Sequence, residues 1–122
     1  MKKIFYYTDV LPFLTREQEA IEKLKKNLDI FQENSENIRV IWHPMTGTVE
    51  CLEFNKSVIL EDYKKVVKEF VESGWGDYDT TESYTDVKEL MMTCSGYYGD
   101  ISNFSYDAQF AKIPVMIQNV GI

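Results

Sequence analysis

The chain has 122 residues, of which 44% are hydrophobic and 14% aromatic, the length and composition of a globular domain with a sizeable core. Its net charge of −7 argues against a nucleic-acid backbone or an anionic membrane as main partner, because both need a concentrated cationic surface. Any anion must then be held locally.

The opening stretch, Met1 to Asp9, carries Lys2 and Lys3, but its apolar run stops short of a signal-peptide core, and no segment approaches the length of a membrane span. Cys51, read in a loop, and Cys94, read on a helix face, are isolated. They fit reduced thiols in a cytoplasmic protein better than a disulfide framework. There is no repeat, no Gly- or Ser-rich tract and no linker-like break, so residues 1–122 read as one domain.

Lys3 to Thr8 is a near-continuous apolar and aromatic run, the pattern of a central strand covered on both faces. After Pro12, Thr15 and Gln18 read as a capping box for a first helix, with Ile21, Leu24, Leu28 and Phe31 on one stripe. Ile38 to Trp42 is a second strand, stopped by Pro44 and a turn at Thr46-Gly47; Thr48 to Lys56 reads as loop. Ser57 caps a second helix, in which Tyr63, Val66, Val67, Phe70 and Val71 recur at helical spacing until Gly74.

Asp77 to Asp79 forms a very short third strand, and Thr85 caps a third helix that buries Val87, Leu90, Met91 and Cys94 and closes at Gly96. Tyr97 to Gly99, a helix from Asn103 to Ala111 and a strand from Val115 to Val120 complete the chain. Alternating strands and helices of this kind predict an α/β, three-layer, Rossmann-like domain of about five mostly parallel strands, in the order 3-2-1-4-5, with helices on both faces.

In such open sheets ligands sit outside the carboxyl ends of the strands, near the point where strand order reverses. The rule gathers Thr8 and Asp9, His43, the Asp79-Thr80-Thr81 loop, Asp100 with Ser102 and Asn103, and Asn119 along one edge. A helix starting at Ser102 or Asn103 offers free N–H groups and a partial positive charge, a phosphate-sized site, although the same residues are ordinary caps. Asp100 would repel a phosphate directly, so it is expected to position N–H groups or to accept from a ribose hydroxyl.

His43 is the only histidine and therefore the one weak candidate for histidine acid-base chemistry; the plainer reading is a partly exposed histidine before a proline. Asp79, Thr80 and Thr81 read most simply as a polar loop before the next helix, and Trp42 and Trp75 as packing residues. One histidine and two distant cysteines make no common zinc site, and calcium-loop, dinucleotide, Walker and Gly-x-Ser-x-Gly motifs are all missing. No metal or cofactor is expected.

Tyr97-Tyr98-Gly99-Asp100-Ile101-Ser102-Asn103, a helix, then Lys112-Ile113-Pro114-Val115-Met116-Ile117-Gln118-Asn119-Val120 resembles the end of the CDP-glycerol glycerophosphotransferase-like family, relatives of the teichoic-acid polymerases. Their Asp-x-Ser-Ser turn is similar to Asp100-Ile101-Ser102-Asn103. Gly74-Trp75-Gly76-Asp77-Tyr78-Asp79 is similar to the family's Gly-Trp-Gly-Ile-Tyr-Asp, and Trp42-His43-Pro44-Met45 to its Trp-Arg-Pro-His. His43 thus falls on the family's arginine and Met45 on its histidine.

The resemblance implies the donor-binding, carboxyl-terminal half of a two-lobed bacterial transferase of cell-envelope biosynthesis, without the acceptor half and its catalytic groups. A full-length relative would work at the inner face of the membrane. It implies that Asp100, Ser102, Asn103, Asp79, Thr80 and Thr81 serve a nucleotide-diphosphate donor of CDP-alcohol type. An isolated domain would lack transferase activity. The alternative is a standalone, non-catalytic interaction module that has kept the fold and acts through self-association or a partner.

Overall fold

A computed structural model describes residues 1–118 of the chain. Its centre is β1 (Lys2–Thr8), which pairs with β2 (Ile38–Pro44) on one side and β4 (Gly96–Gly99) on the other; β3 (Gly76–Tyr78) and β5 (Val115–Ile117) form the edges. All four pairings are parallel and the order is β3-β2-β1-β4-β5. The connections are helical: α1 (Leu11–Arg16), α2 (Gln18–Glu33), α3 (Thr48–Phe54), α4 (Leu60–Ser73), α5 (Tyr84–Met92) and α6 (Asn103–Phe110). This is the Rossmann-like α/β arrangement that the alternating sequence pattern predicts.

The pleat sorts side chains onto two faces. The register sets Tyr6 beside Trp42 and Tyr7 beside His43. Tyr6 and Trp42 belong to a core with Phe13, Leu24, Leu52 and Tyr63, under α1 to α4. Phe5, Tyr7 and Ile41 belong to a second core with Val87, Met91 and Ala108, under α5 and α6. Both faces of β1 are thus covered, which is why its sequence does not alternate.

Several local readings are corrected. Thr15 and Gln18 do not form a capping box: Thr15 donates its hydroxyl to the Leu11 carbonyl, and the first helix breaks at Glu17, whose φ is +48°, into α1 and α2. Residues 48–56 are not loop, because α3 occupies most of them, with Leu52 buried against the sheet and Cys51 half-buried on the helix. Ser83, not Thr85, caps α5 by accepting the Asp86 N–H. That helix ends at Met92, so Cys94 lies in the following turn and Gly96 already belongs to β4.

Phe5, Val40, Ile41, Val66, Phe70 and Met91 are buried as the pattern requires. Tyr98, Val115 and Ile117 are only half-buried, since β5 is an edge strand of three residues; Leu90 is half-buried on α5, packed against the second core, and Val71 is exposed on the outer face of α4. Asn119 and Val120 lie outside the described residues. Among the described residues no helix is long and apolar enough to cross a membrane.

Candidate functional site

Strand order reverses between β1 and β4, so the carboxyl ends of these two strands mark the switch point. β4 ends at Gly99 with φ +139°, where a Cβ would collide with the Tyr7 carbonyl. Only glycine allows that approach. The chain then turns so that the Asp100 N–H donates to the same Tyr7 carbonyl at 3.0 Å.

Asp100 is buried at this junction. Its carboxylate accepts the Asp9 N–H at 2.7 Å and the Gln118 side-chain amide at 3.1 Å. The Gln118 carbonyl accepts from Asn27 of α2 at 2.8 Å, and Asn27 also donates to the Tyr6 hydroxyl at 3.2 Å. The loops after β1 and β4 and the residue after β5 are thereby tied to one carboxylate and one helix.

On the α5/α6 face, His43 is buried and its Nδ1 lies 2.8 Å from Asp79 Oδ2. Thr81 donates to the other Asp79 oxygen at 2.8 Å. The imidazole is stacked with Phe5 and Tyr7 and meets the edge of Phe104, in the first turn of α6. Contrary to the plainer reading of the sequence, this histidine is not partly exposed but buried. Thr80 is exposed and turns to a different groove, with Met45, Thr46 and Glu82.

Ser102 is the N-cap of α6, and with Ser105 it forms a complete capping box. Its hydroxyl lies 3.0 Å from the Tyr97 hydroxyl, which also donates to the Asp100 carbonyl. Burial pushes the Tyr97 phenol above its ordinary value, and pushes Tyr7 up to about 12, with Asp9 and Asp100 adding to that shift. Both are neutral at neutral pH. Asn103, the first helical residue, is exposed.

The residues that the strand-end rule gathers therefore divide. Asp9 and Asp100 meet at the switch point; His43, Asp79 and Thr81 form a second cluster one strand away, linked to α6 through Phe104. Two contributors escaped sequence reasoning. Asn27 and Gln118 carry the polar network, and Asn27 had a legible signal: it sits between Leu24 and Leu28 on the buried stripe of α2.

On the α1/α2 face, a cleft of about 150 Å³ opens beside the network, lined by Tyr6, Thr8, Arg16, Asn27, Asp100 and Gln118 among others. Whole small-molecule sites occupy roughly 300–1,000 Å³, so this cleft has room for part of a nucleotide only. Among the described residues no group of three or more His, Cys, Asp or Glu side chains is placed to hold a metal ion. Comparison of the chain with protein-family models, with curated proteins and with solved structures finds no match.

Proposed function

We propose that the carboxyl edge of the sheet is half of a binding site for a nucleotide-diphosphate donor of CDP-alcohol type. In this reading residues 1–122 form one domain, the donor half of a glycerophosphotransferase-like protein, inactive in isolation. The observation that carries the reading is the Asp100 junction. A buried carboxylate at the switch point accepts from the Asp9 backbone and the Gln118 side chain, tying three strand ends together, while α6 begins three residues later with an exposed Asn103.

The chemistry would be division of labour. N–H groups at the first turn of α6 favour a phosphate through direct hydrogen bonds and the helix dipole. Asp100, already engaged with N–H donors, would hold that turn rather than the phosphate. In the complete reaction an acceptor hydroxyl would attack the donor phosphorus and displace CMP, with catalysis by positioning and charge stabilisation from both lobes. The cleft of about 150 Å³ fits a half site that a second lobe completes.

NMR titration with CDP and with free cytidine tests this. Lacking its second lobe, the site should bind CDP weakly, with Kd on the order of millimolar. Amide shifts centred on residues 99–105 with CDP, and far smaller ones with cytidine, support the reading. Silence there at several millimolar CDP sinks it.

One observation favours the interaction module instead. An apolar groove runs along Ile4, Ile30, Phe31, Tyr98 and Met116, with Ile30 and Met116 well exposed. A stable dimer by analytical ultracentrifugation, together with no CDP response, selects that alternative.

A further inference from the structure

The two edges of the sheet differ in how they are guarded. At β3, Arg39 reaches across from β2 and pairs with Asp77 through hydrogen bonds of 2.7 and 2.8 Å, and its guanidinium also donates to the Gly74 and Gly76 carbonyls at 3.4 and 3.5 Å. Charged side chains on an edge strand block further pairing. At β5 no residue from Ile113 to Gln118 is charged. We infer that the β5 edge pairs, antiparallel, with β5 of a second copy of this chain and joins two sheets about a two-fold axis. The carboxyl edge stays open in that arrangement, so the inference does not depend on the donor reading; it gives the self-association alternative a defined surface and register.

The first observation is the direction of the backbone. The Pro114 carbonyl accepts the Tyr97 N–H at 2.9 Å and the Gln118 N–H donates to the Gly99 carbonyl at 2.8 Å, so residues 114, 116 and 118 turn their main-chain groups towards β4. The strand period of two then turns the N–H and C=O groups of Val115 and Ile117 outward, where they meet no described residue. Pro114, whose missing N–H would interrupt an edge, faces β4. In a two-fold antiparallel pairing Val115 stands opposite Ile117 of the second copy and exchanges N–H···O bonds with it in both directions, and Met116 stands opposite its own counterpart.

The second observation is what flanks the edge. On one face Met116 is 65% exposed beside the groove of Ile30 and Phe31. On the other face lies α6, with Tyr106 51% and Phe110 88% exposed. A two-fold axis normal to the sheet keeps both copies of α6 on the same face, beside the joined edges. Apolar side chains are therefore available to cover the new pairing from both sides.

The third observation is charge. At a net −7, two copies repel each other wherever their carboxylates meet. The β5 strand has no carboxylate, and the single one of α6, Asp107, is engaged by the Tyr84 hydroxyl and by Lys88 at 3.9 Å. An uncharged, self-complementary edge suits a second copy of an acidic chain. The contact is small, three strand residues from each copy with their flanking side chains, and it falls short of the roughly 1,200–2,000 Å² of stable complexes. The dimer is accordingly weak, with Kd on the order of 10–100 μM.

The test is analytical ultracentrifugation of the full chain from about 10 μM to about 1 mM, a range that brackets this Kd, with amide exchange followed by NMR in dilute and concentrated samples. A monomer–dimer equilibrium is expected, and the Val115 and Ile117 amides should exchange several-fold more slowly in the concentrated sample. Met116→Lys sets two like charges opposite each other, with Cα atoms about 4.5 Å apart, and should weaken dimerisation about tenfold; the melting temperature of dilute protein should not change, since Met116 is exposed. Met116→Cys should crosslink to its own counterpart in oxidised glutathione, because that spacing suits a disulfide.

A monomer throughout the range overturns the inference, as does full-strength dimerisation of Met116→Lys or a dimeric Met116→Cys protein that forms no crosslink at that position. A dimer whose Val115 and Ile117 amides exchange freely is held through the groove; it sinks the edge pairing and leaves the self-association reading standing. CDP shifts at residues 99–105 in a chain that stays monomeric sink the edge pairing and leave the donor reading standing, and an edge-paired dimer silent to CDP does the reverse.

Discussion

His43 Nδ1 faces Asp79 Oδ2 at 2.8 Å while Thr81 fixes the other carboxylate oxygen, so a ring 2% exposed is oriented by a loop that is largely in contact with solvent. The ring's other nitrogen has no partner among the described residues. Nδ1 should therefore carry the proton of the neutral ring, donating to Asp79, with Nε2 the acceptor. Nitrogen-15 NMR of the imidazole reads the tautomer directly; a proton on Nε2 would contradict the assignment.

Asp79→Ala removes the partner of a buried imidazole and should destabilise the fold by about 1–3 kcal/mol, the cost of leaving such a group unsatisfied. Thr81→Val should cost less, since it only frees one oxygen of a carboxylate that keeps some contact with solvent. Urea denaturation compares the two. An Asp79→Ala protein as stable as the parent would mean that the contact does not hold the ring.

Phe70 is buried with its ring edge-on to Trp42 at 5.4 Å and to Trp75 at 5.0 Å. Phe70→Ala should destabilise by about 3–5 kcal/mol. Gly76 tests the same packing from the sheet side, because a Cβ there would lie 2.6 Å from the Phe70 ring and 2.9 Å from the Val40 carbonyl. Gly76→Ala should cost about 1–3 kcal/mol by overpacking, although its backbone conformation suits any residue. Equal stability of parent and variant in urea would show that the ring moves freely.

These cores were legible because their signals are periodic. Tyr63, Val66 and Phe70 recur at helical spacing, and the run through Phe5, Tyr6 and Tyr7 reads as a strand covered on both faces. What escaped was decided by tertiary contacts. α3 has seven residues and starts from Gly47 in a left-handed turn, so Leu52 in the core, rather than any local pattern, makes it helical. Glu17 breaks the first helix at a positive φ that no glycine announces.

At the candidate site the same division holds. Asp100 and Ser102 could be assigned to a turn and a helix start from residue types alone. The pairing of His43 with Asp79 spans 36 positions and that of Asp9 with Asp100 spans 91. Contacts so distant in sequence follow from strand order and register, which local propensity does not carry.

Alkaline unfolding should report the buried phenols. Tyr6, Tyr7, Tyr63 and Tyr97 are all raised chiefly by burial, Tyr7 to about 12 from an ordinary value of 10.0. A group raised in the folded state contributes stability that is fully present below its unfolded value and is lost as pH rises through its folded value. Stability should thus fall progressively above about pH 10, with tyrosinate absorbance and loss of circular dichroism rising together. Titration of all phenols near pH 10 with the fold intact would contradict the burial.

No glycerophosphate transfer is expected from the isolated chain. Where the family it resembles has an arginine and a histidine, this chain has His43 and Met45, and an in-line displacement needs groups on both sides of the phosphate. His43→Arg with Met45→His should not create activity, and it should destabilise the fold, because a guanidinium would replace a buried ring packed between Phe5 and Phe104. Acceptor-dependent release of CMP from CDP-glycerol by the pure parent would overturn this.

The start of α6 separates ligand binding from folding if the right residue is changed. Ser102→Ala is a poor choice: it removes the capping box and the partner of the Tyr97 hydroxyl, costing about 0.5–2 kcal/mol whatever the function. Asn103 is exposed in the first turn and no described cap contact uses its side chain. A carboxylate there is favoured by the helix dipole, so Asn103→Asp should leave stability within about 0.5 kcal/mol of the parent. The same negative charge would lie beside any phosphate bound to the first-turn N–H groups and repel it. If the CDP response at residues 99–105 reflects phosphate held there, Asn103→Asp should abolish it while the urea midpoint stays put. An unchanged CDP response in a stable Asn103→Asp protein would place the phosphate elsewhere on the edge, and the α6 site would be lost with it.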